Sequence, residues 1–473
     1  MSSAVVVGSG PNGLAAALTL AAAGVSVTVV EAADRIGGGV RSSELTVPGL
    51  VHDDCAGFHP FATASAFARE FDLEGAGLRW RWAPYEFAHP LDGGRGAVLQ
   101  RSVAETARVL GADGGAWMRT FGPLAERFDT ISEEFLQPVV HAPEHPIHLA
   151  RFGRAAAQPA ALLVRRWRLE AARALYGGVA AHAFTRLDRP FSAAVGVALT
   201  TAAHAYGWPV AEGGSQAIAE AVWRRCEERG VKLELGRTVS SIDELGAVDL
   251  VLLDTAPGAA ARIVGDRLPR RVRRAYESFR HGPAAFKVDY AVQTGVPWDY
   301  EPARSAGTIH LGGTFEETAR AEADTNAGRM PQRPFVLVGQ QWLADRTRSV
   351  GDVHPLYAYA HVPAGYDGPD GPVVEAITAR IEQFAPGFRE RIVATHVRSA
   401  TAMEAYNANY VGGDIATGAT GLRQMVFRPR VGTSPYSTGA KGIYLCSAAT
   451  PPGAGAHGMC GHLAAKAALR SLG

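Results

Sequence analysis

The hydrophobic pattern at the start of the chain changes its period twice. Val5–Val7 form a short β-branched run, a glycine-rich turn follows, and the apolar segment 14–30 then leads to Glu31. That segment resembles a membrane span, but Gly24 and the β-branched residues after it interrupt a helix there. We therefore predict a buried strand, a tight turn, a buried helix and a second buried strand.

The predicted turn reads GSGPNG and places Gly8, Gly10 and Gly13 at the spacing G-x-G-x-x-G. Between a strand and a helix, these glycines permit the tight turn, the approach of a pyrophosphate and the packing of helix on strand. The helix N-terminus offers free N–H groups to phosphates, and Glu31 stands where a carboxylate accepts ribose hydroxyls. The unit predicts a dinucleotide site, and its carboxylate disfavours the 2′-phosphate of NADP.

The segment AADRIGGGVRSS follows Glu31 directly and combines Arg35 and Arg41 with three successive glycines. Small residues beside arginines suit a second pass of backbone along the same pyrophosphate, with Arg41 as the counter-charge. A flexible surface loop with solvated arginines is the alternative, because glycine-rich turns are common.

A second G-x-G-x-x-G, formed by Gly453, Gly455 and Gly458, lies in the last thirty residues. The tripeptide TPP separates these glycines from the predicted strand GIYLCSA, and no strand with an acidic end follows them. This context does not predict a second adenosine site. It predicts the N-terminus of a terminal helix, HGMCGHLAAKAALRSL, whose basic residues lie toward its C-terminal end as the helix dipole prefers.

Composition narrows the class of protein. The chain has 473 residues, 47% of them hydrophobic and 20% charged, with a formal net charge of +1. This predicts a globular protein of two lobes and gives no indication of a nucleic-acid partner. The four cysteines are scattered without metal-ligand spacing, which predicts reduced thiols, no metal site and a cytoplasmic location. The sequence leaves the oligomeric state open.

The stretches GSGPNGLAAAL, VVEAADRIGGGVRSSEL and GLVHDDCAGFHPF together resemble the phytoene desaturase-like FAD-dependent oxidoreductases. That group is related to carotenoid isomerases, retinol saturase and, more distantly, the amine oxidases. The resemblance covers most of the chain and implies a non-covalent FAD without a dedicated NADPH domain. The implied cofactor-binding residues are Gly8, Gly10, Pro11, Asn12, Gly13, Glu31, Ala32, Arg35, Gly38, Gly39, Arg41, Val239, Ser447, Gly458, Met459 and Cys460.

The resemblance also implies an α/β fold. A Rossmann-like FAD-binding domain of the glutathione-reductase type would be interleaved with an α+β substrate domain. We assign residues 1–65, 211–275 and 435–473 to the FAD-binding domain, and residues 66–210 and 276–434 to the substrate domain.

The terminal helix has a further implied role. The resemblance places it under the flavin ring, where the N–H groups of Gly458, Met459 and Cys460 would face the pyrimidine edge. The positive end of the helix dipole would then stabilise the negative charge that develops on reduction. A terminal helix that merely packs on the sheet is the alternative.

Residues 149–178 interleave Arg165, Arg166, Arg168 and Arg173 with apolar residues. A basic amphipathic helix can lie on an anionic membrane surface, although a helix with one solvated basic face is the favoured interpretation. Peripheral membrane contact therefore stays open at this point.

FAD itself carries the redox chemistry, so few side chains need to be catalytic. His59 and His457 are the candidate general acids or bases because an ordinary histidine pKa lies near neutrality, and a packing role is the alternative for each. Lys287 is predicted to face outward from its strand, and the alternative is the lysine that contacts flavin N5 through water in amine oxidases. Asp414 is predicted to lie in a cavity wall or simply in a glycine-rich turn.

The implied activity is desaturation, or in reverse saturation, of carbon–carbon bonds in a largely apolar small molecule. An amine or amino-acid oxidase is one alternative, for which Tyr406, Tyr410 and Trp342 could supply aromatic walls. A flavin-dependent isomerase is a second. A prenyl-protein carrier of the GDP-dissociation-inhibitor type is the non-enzymatic alternative, but a carrier does not need the pyrophosphate site that the glycines and arginines predict.

Overall fold

The structure is a computed structural model and describes residues 2–63 and 65–472. The β-strands of this part of the chain are β1 (Ser3–Val7), β2 (Ser26–Val30), β3 (Ser42–Ser43), β4 (His52–Asp53), β5 (Trp80–Arg81), β6 (Tyr85–Leu91), β7 (Arg95–Leu99), β8 (Val210–Ala211), β9 (Lys232–Glu234), β10 (Leu250–Leu253), β11 (Ala284–Gln293), β12 (Ala306–Leu311), β13 (Val336–Gly339), β14 (Val353–Val362), β15 (Ile392–Arg398) and β16 (Ile443–Leu445).

The α-helices are α1 (Pro11–Ala22), α2 (Ala66–Glu70), α3 (Val103–Val109), α4 (Gly114–Ala125), α5 (Phe128–Phe135), α6 (Pro146–Ala156), α7 (Ala160–Leu163), α8 (Glu170–Ala180), α9 (Ala193–Ala205), α10 (Gln216–Glu227), α11 (Pro257–Val264), α12 (Arg270–Glu277), α13 (Phe315–Asn326), α14 (Asp370–Phe384), α15 (Ala400–Tyr406), α16 (Leu422–Val426) and α17 (Met459–Leu469).

The first large sheet is parallel and has the strand order β16-β10-β1-β2-β9. Its strands are rich in valine and leucine because both faces are covered. One face packs against α1, α10 and α17, and the other packs against α11 and α12. This is the Rossmann-like sheet that the sequence predicts.

Two glycines set how closely helices approach this sheet. A Cβ atom on Gly13 would lie 2.1 Å from the carbonyl oxygen of Gly8, so only glycine lets α1 start so close to β1. A Cβ atom on Gly461 would lie 1.7 Å from the carbonyl oxygen of Asn12, which brings α17 directly onto the start of α1. The C-terminal helix is thereby fixed beside the first glycine turn.

The second large sheet has seven strands in the order β15-β11-β14-β13-β12-β6-β7 and is antiparallel except for the pair β6–β12. Side chains alternate between its faces. The row Val288, Ala358, Val338 and Ile309 lies on the face that shares an apolar core with α14. The neighbouring row Lys287, Tyr359, Leu337 and His310 points to the opposite face, toward the cavity described below.

The two sheets are interleaved along the chain. The parallel sheet takes its strands from residues 3–30, 232–253 and 443–445, whereas the seven-stranded sheet takes them from 85–99 and 284–398. This confirms the predicted α/β class with a second, α+β lobe. The domain boundaries placed between these segments stay a prediction.

The predicted single basic helix over residues 149–178 is wrong. Pro159 disfavours helical backbone at the residue before it, and the chain forms α6, α7 and α8 in succession instead. Trp167, which the prediction placed on an amphipathic helix, is buried with the core of the lobe. Over the described residues, no helix is long and apolar enough to cross a membrane.

Candidate cofactor and active site

One cavity of about 920 Å³ runs between the parallel sheet and the seven-stranded sheet. Its nucleotide end is formed by the glycine turn after β1, the end of β2, the loop after β9 and the start of α11. Its substrate end is formed by strands β12, β13 and β14 and by helices of the second lobe. Both lobes therefore contribute walls to a single site.

The first glycine turn lies open to the nucleotide end. Gly8, Gly10, Pro11 and Asn12 line the cavity, and Gly8 has a positive φ of 101° that favours glycine. Gly13 does not line the cavity, and its role is the packing of α1 described above. The turn leaves free backbone where the sequence predicts a pyrophosphate.

Glu31 ends β2 at the same edge and is held firmly in place. Its carboxylate accepts hydrogen bonds from the Ser9 backbone N–H at 2.7 Å, the Ser9 hydroxyl at 2.6 Å and the Ala33 backbone N–H at 2.9 Å. Glu31 is buried but lines the cavity together with Ala32. The carboxylate thus has a fixed direction and remains available to the hydroxyls of a ribose.

The two arginines of the following loop have different places. Arg41 is buried, lines the cavity, and donates to Glu31 Oε1 at 3.4 Å, while its Nε has no hydrogen-bond partner among the described residues. Arg35 does not line the cavity; it donates to Ser43 Oγ at 2.6 Å and to Asp54 Oδ2 at 3.0 Å. Of the predicted pair, the structure brings only Arg41 to the site.

The glycines of this loop make the predicted second pass of backbone. A Cβ atom on Gly38 would lie 2.9 Å from Gly10 Cα, so the loop rests directly on the first glycine turn. A Cβ atom on Gly39 would lie 2.0 Å from the Tyr410 hydroxyl, and both glycines line the cavity. The flexible-surface alternative therefore does not describe this segment.

Asp254 was not predicted from the sequence as a site residue. It follows β10, lines the cavity, and its Oδ2 accepts from the Gly13 N–H at 3.0 Å. Burial and, next, the Glu31 carboxylate raise the pKa of Asp254 to about 7. The signal that could have found it is an acid directly after a buried strand that neighbours β1.

Val239 and Ser447 both line the cavity, and their contact with FAD stays a prediction. Val239 is buried in the loop after β9 and lines the nucleotide end with Arg237 and Arg262. Ser447 follows β16 and lines the cavity near its middle.

The C-terminal helix approaches the cavity from behind a wall formed by residues 454–456, which line it. Gly458, Met459 and Cys460 do not line the cavity. The Met459 N–H donates to His457 Nδ1 at 3.1 Å and the Cys460 thiol donates to the Gly453 carbonyl at 3.2 Å. The helix N-terminus lies beside the site, and direct contact of these N–H groups with a flavin stays a prediction.

His59 and His457 are both buried and neither lines the cavity. His59 Nε2 lies 2.8 Å from Ser215 Oγ, and its ring lies 5.9 Å from that of Trp80. Burial lowers the pKa of each histidine to about 4. Both therefore remain neutral near physiological pH, and a catalytic role for either stays a prediction.

The substrate end is largely apolar. Its walls include Phe58, Phe61, Phe184, Val195, Leu199, Trp208, Leu337, Tyr357 and Tyr359. Few polar side chains line this part of the cavity, and they include Thr308, Thr417, His182 and His281. Tyr406 and Tyr410 line it near the glycine loop, whereas Trp342 stacks on His354 at 3.8 Å and does not line the cavity.

His281 and His182 were not singled out from the sequence, because each is an isolated histidine without a motif. His281 Nδ1 lies 3.6 Å from Asp414 Oδ2. Asp414 does not line the cavity; it accepts from the N–H groups of Gly282, Ala416 and Gly418 at 2.7 to 2.9 Å. The turn interpretation of Asp414 is therefore the one that agrees with the structure.

The prediction that Lys287 faces outward is wrong. The side chain is buried, pairs with Asp289, and its Nζ lies 4.6 Å from the ring of Tyr357, a cavity residue. Burial opposes ionisation of Asp289, but the Lys287 ammonium holds the pKa of that carboxyl well below its usual range. The alternating pattern of the strand does not indicate that Lys287 is buried, because the face of the sheet that carries it is covered by the other lobe.

Three successive residues of the first lobe join it to the second. His52 Nδ1 lies 3.5 Å from Asp289, the Asp53 carboxylate accepts from Arg348 Nη1 at 2.6 Å, and Asp54 Oδ1 lies 3.6 Å from Arg398. These three residues precede the cavity-lining segment 55–58. They hold that segment in place between the lobes.

The arrangement fits an adenine dinucleotide with a flavin. Any side chain at the glycine positions of the two turns would occupy space that the glycines leave open. Beside the turns, two buried polar atoms, Arg41 Nε and Asn12 Oδ1, have no hydrogen-bond partner among the described residues. Over the same residues, no group of histidine, cysteine, aspartate or glutamate side chains could hold a metal ion.

Comparison with known proteins also indicates a flavin-containing oxidoreductase. The family model described as flavin containing amine oxidoreductase matches residues 12–267. Pyridine nucleotide-disulfide oxidoreductase domain-containing protein 2 from Rattus norvegicus is 24% identical, over 99% of this chain and 93% of its own length. Hydroxyneurosporene desaturase from Cereibacter sphaeroides is 30% identical over 257 residues, 50% of each chain. The structure of a putrescine oxidase superposes with a TM-score of 0.61 at 18% identity, over 100% of this chain and 99% of that one, which establishes the fold.

Proposed function

The chain belongs to the flavin-containing amine oxidoreductase family and is an FAD-dependent oxidoreductase, and we propose that within this family it desaturates, or in reverse saturates, carbon–carbon bonds of a largely apolar small molecule. When bound, FAD supplies the acceptor or donor of the hydride. Glu31, Arg41 and the glycine turns around Gly10 and Gly38 would hold it.

The distribution of charge along the cavity carries this proposal. Over the described residues, the charged side chains that line the cavity are Glu31, Arg41, Arg237, Asp254 and Arg262, and all of them belong to the nucleotide end. A buried ammonium or carboxylate on a substrate requires a paired charge because an unpaired one costs several kcal/mol or more. At the substrate end, His281 beside Asp414 is the one lining side chain of the described residues, other than the neutral His182, that could carry a positive charge near neutral pH, and this scarcity of charge supports a neutral substrate.

The side chains at the substrate end would bind and orient the substrate through apolar contact and would exclude water. Tyr357 is fixed by its hydroxyl, which donates to the Cys55 carbonyl oxygen at 2.9 Å. In desaturation, one hydrogen would leave the substrate as a hydride and the second as a proton, which a base at the cavity would accept.

The second candidate function is amine oxidation, and the aromatic walls favour it. Tyr357 and Tyr359 line the cavity with ring centroids 5.8 Å apart at 87°, and Phe184 stacks on Tyr359 at 6.3 Å. Aromatic faces attract cations, and a putrescine oxidase shares the fold. A substrate amine that enters as the neutral base would also suit an uncharged chamber.

The test is anaerobic mixing of the yellow holoenzyme with three groups of compounds: isoprenoid hydrocarbons and alcohols, amines including putrescine, and amino acids. Loss of the oxidised flavin absorbance is measured, and products are identified by mass spectrometry. The proposal expects bleaching by an isoprenoid with a product two hydrogens lighter, or reoxidation of the reduced enzyme by a polyene. Bleaching by amines alone would replace it with the second candidate, and a product of unchanged mass would indicate an isomerase.

A further inference from the structure

Two buried threonines that line the cavity, Thr308 and Thr417, have hydroxyls without a hydrogen-bond partner among the described residues, and Thr308 is the more deeply buried of the two. Thr308 is fully buried, lines the cavity, and its Oγ1 has no hydrogen-bond partner among the described residues. A buried hydroxyl without a partner is unfavourable by roughly 1–3 kcal/mol. Such a group in a cavity wall is explained if a ligand completes its hydrogen bonding.

His182 belongs to the same part of the wall. Its Nε2 lies 2.9 Å from Nε2 of His310, which stands two residues after Thr308 on β12 and therefore on the same face of the sheet. The ring of Trp208 lies 5.5 Å from that of His182 and 4.8 Å from that of Phe87, the residue opposite Thr308 in the sheet. The three residues Thr308, His182 and Trp208, here called the polar corner, all line the cavity.

The polar corner is uncharged. Burial lowers the pKa of His182 to about 3, so its imidazole is neutral near physiological pH. His310, behind it, is fully buried, and its pKa is also lowered by burial and then by the neighbouring histidines. A neutral imidazole donates one hydrogen bond and accepts one, and a hydroxyl donates one and accepts up to two, but neither group compensates a formal charge.

We propose that the polar corner binds a neutral hydrogen-bonding end group, a hydroxyl or a carbonyl, on a substrate whose remaining length lies along the apolar walls. This inference rests on the proposed function and narrows its substrate class from an apolar molecule to one with a single neutral polar terminus. Trp208 and Leu337 enclose the end group, and Thr308 with His182 supplies its hydrogen bonds.

The experiment uses the full-length holoenzyme and four probes with one carbon skeleton: farnesene, farnesol, farnesylamine and farnesoic acid. Binding is measured through quenching of tryptophan fluorescence and through perturbation of the flavin absorption spectrum. Farnesol is expected to bind about two- to tenfold more tightly than farnesene, the value of one net hydrogen bond. The amine and the acid are expected to bind more weakly than farnesol.

Thr308→Val should remove the preference for farnesol and leave the affinity for farnesene unchanged, and Thr308→Ser should retain the preference. Thr318→Val is the matched control, because Thr318 is also fully buried with an unpartnered hydroxyl but does not line the cavity. If Thr308→Val does not retain flavin, Thr308→Ala serves as the second variant without the hydroxyl.

Two results would overturn the inference while leaving the proposed function intact. One is equal affinity for farnesol and farnesene in the unsubstituted enzyme, and the other is an equal loss of affinity for both probes in the Thr308 variants. Tightest binding of the acid would also overturn it, since a charged end group would then be accepted. Tightest binding of farnesylamine, or no binding of any probe up to its solubility, would contradict the inference and the proposed function together.

Discussion

At the nucleotide end of the cavity, Glu31 is held by three hydrogen bonds, Arg41 lies beside it, and Asp254 fixes the start of α1. At the substrate end, a few uncharged polar groups, Thr308 and His182 among them, interrupt a largely apolar and aromatic wall. The first end is built for one charged molecule of fixed shape, and its polar groups are already oriented. The second end leaves the Thr308 hydroxyl without a partner, so its specificity depends on which hydrogen-bonding group the substrate brings to that hydroxyl.

The difference between the two ends shows which part of ligand recognition a local sequence pattern can specify. Charged groups need precise partners because an unpaired buried charge is costly, which ties the nucleotide end to a short sequence pattern. Apolar walls require only volume and shape, so residues distant in the chain can form them. The four predictions below test this contrast and what joins the two ends.

The largest effect is expected where the lobes meet. Asp53→Asn removes one of the two carboxylates that pair with the buried Arg348 guanidinium and leaves Asp345, so the free energy of unfolding should fall by roughly 3 kcal/mol, the lower end of the range for a broken buried pair. Thermal unfolding of the holoenzyme measures this loss of stability. Because the pair joins the two lobes, the affinities for FAD and for farnesene should fall together. Glu375→Gln is the control: its pair with Arg389 is exposed, so the loss should stay below about 1 kcal/mol.

The same pair predicts the response to acid. Burial opposes ionisation of Asp53, yet Arg348 holds the pKa of its carboxyl below the usual range. A depressed folded pKa means that the stabilisation is present above the unfolded value of about 3.9 and is lost as pH falls through the folded one. Unfolding of Asp53→Asn that matched the unsubstituted protein in both temperature and pH dependence would show that the lobes do not rely on this pair.

The second prediction separates the two arginines of the glycine loop. Arg41→Met should weaken FAD binding by about 1.5–3 kcal/mol, because a buried charge-assisted contact at the cavity is lost. Arg35→Met should change FAD affinity by less than about threefold, since Arg35 lies outside the cavity and is half-exposed. Fluorescence titration of the apoprotein with FAD measures both. Equal losses would place Arg35 in the site and remove the distinction drawn from the structure.

Much of the nucleotide end could be predicted from sequence because its signals are local. The spacing of Gly8, Gly10 and Gly13 and the acid at Glu31 follow from what one turn between strand and helix requires. The α/β class and the helix α17 could also be predicted, because the strand and helix patterns in these segments are strong.

The rest could not be predicted, because it depends on contacts across the chain. Arg35 and Arg41 have similar local sequence, and hydrogen bonds to the segment 42–43 and to Asp54 direct Arg35 away from the cavity. Lys287 looks like a solvated strand residue until the first lobe covers its face of the sheet. Thr308, His182 and Trp208 come from three distant segments, and no pattern in any one of them indicates a common site.

The third prediction concerns pH at the nucleotide end. The raised pKa of Asp254, about 7, means that its carboxyl gains charge beside the pyrophosphate position as pH rises through neutrality. FAD affinity of the apoprotein should therefore fall as pH rises through 7, by up to about tenfold, the equivalent of one pKa unit. Asp254→Asn should flatten this dependence. An FAD affinity that is already flat in the unsubstituted protein would mean that Asp254 does not titrate in the site.

The smallest effect is expected at the substrate end, where pH should change almost nothing. The Thr308 hydroxyl does not titrate, burial lowers the pKa of His182 to about 3, and burial also raises the pKa of Tyr359 above its usual range. The ratio of farnesol to farnesene affinity should then stay constant within about twofold between about pH 5 and 9, because the ratio reports only on the end group. Comparing the two probes cancels any effect of pH on the cavity as a whole. A ratio that changed severalfold in this range would reveal a charged partner for the end group. The contrast between a charged nucleotide end and a neutral substrate end would then fail at the polar corner itself.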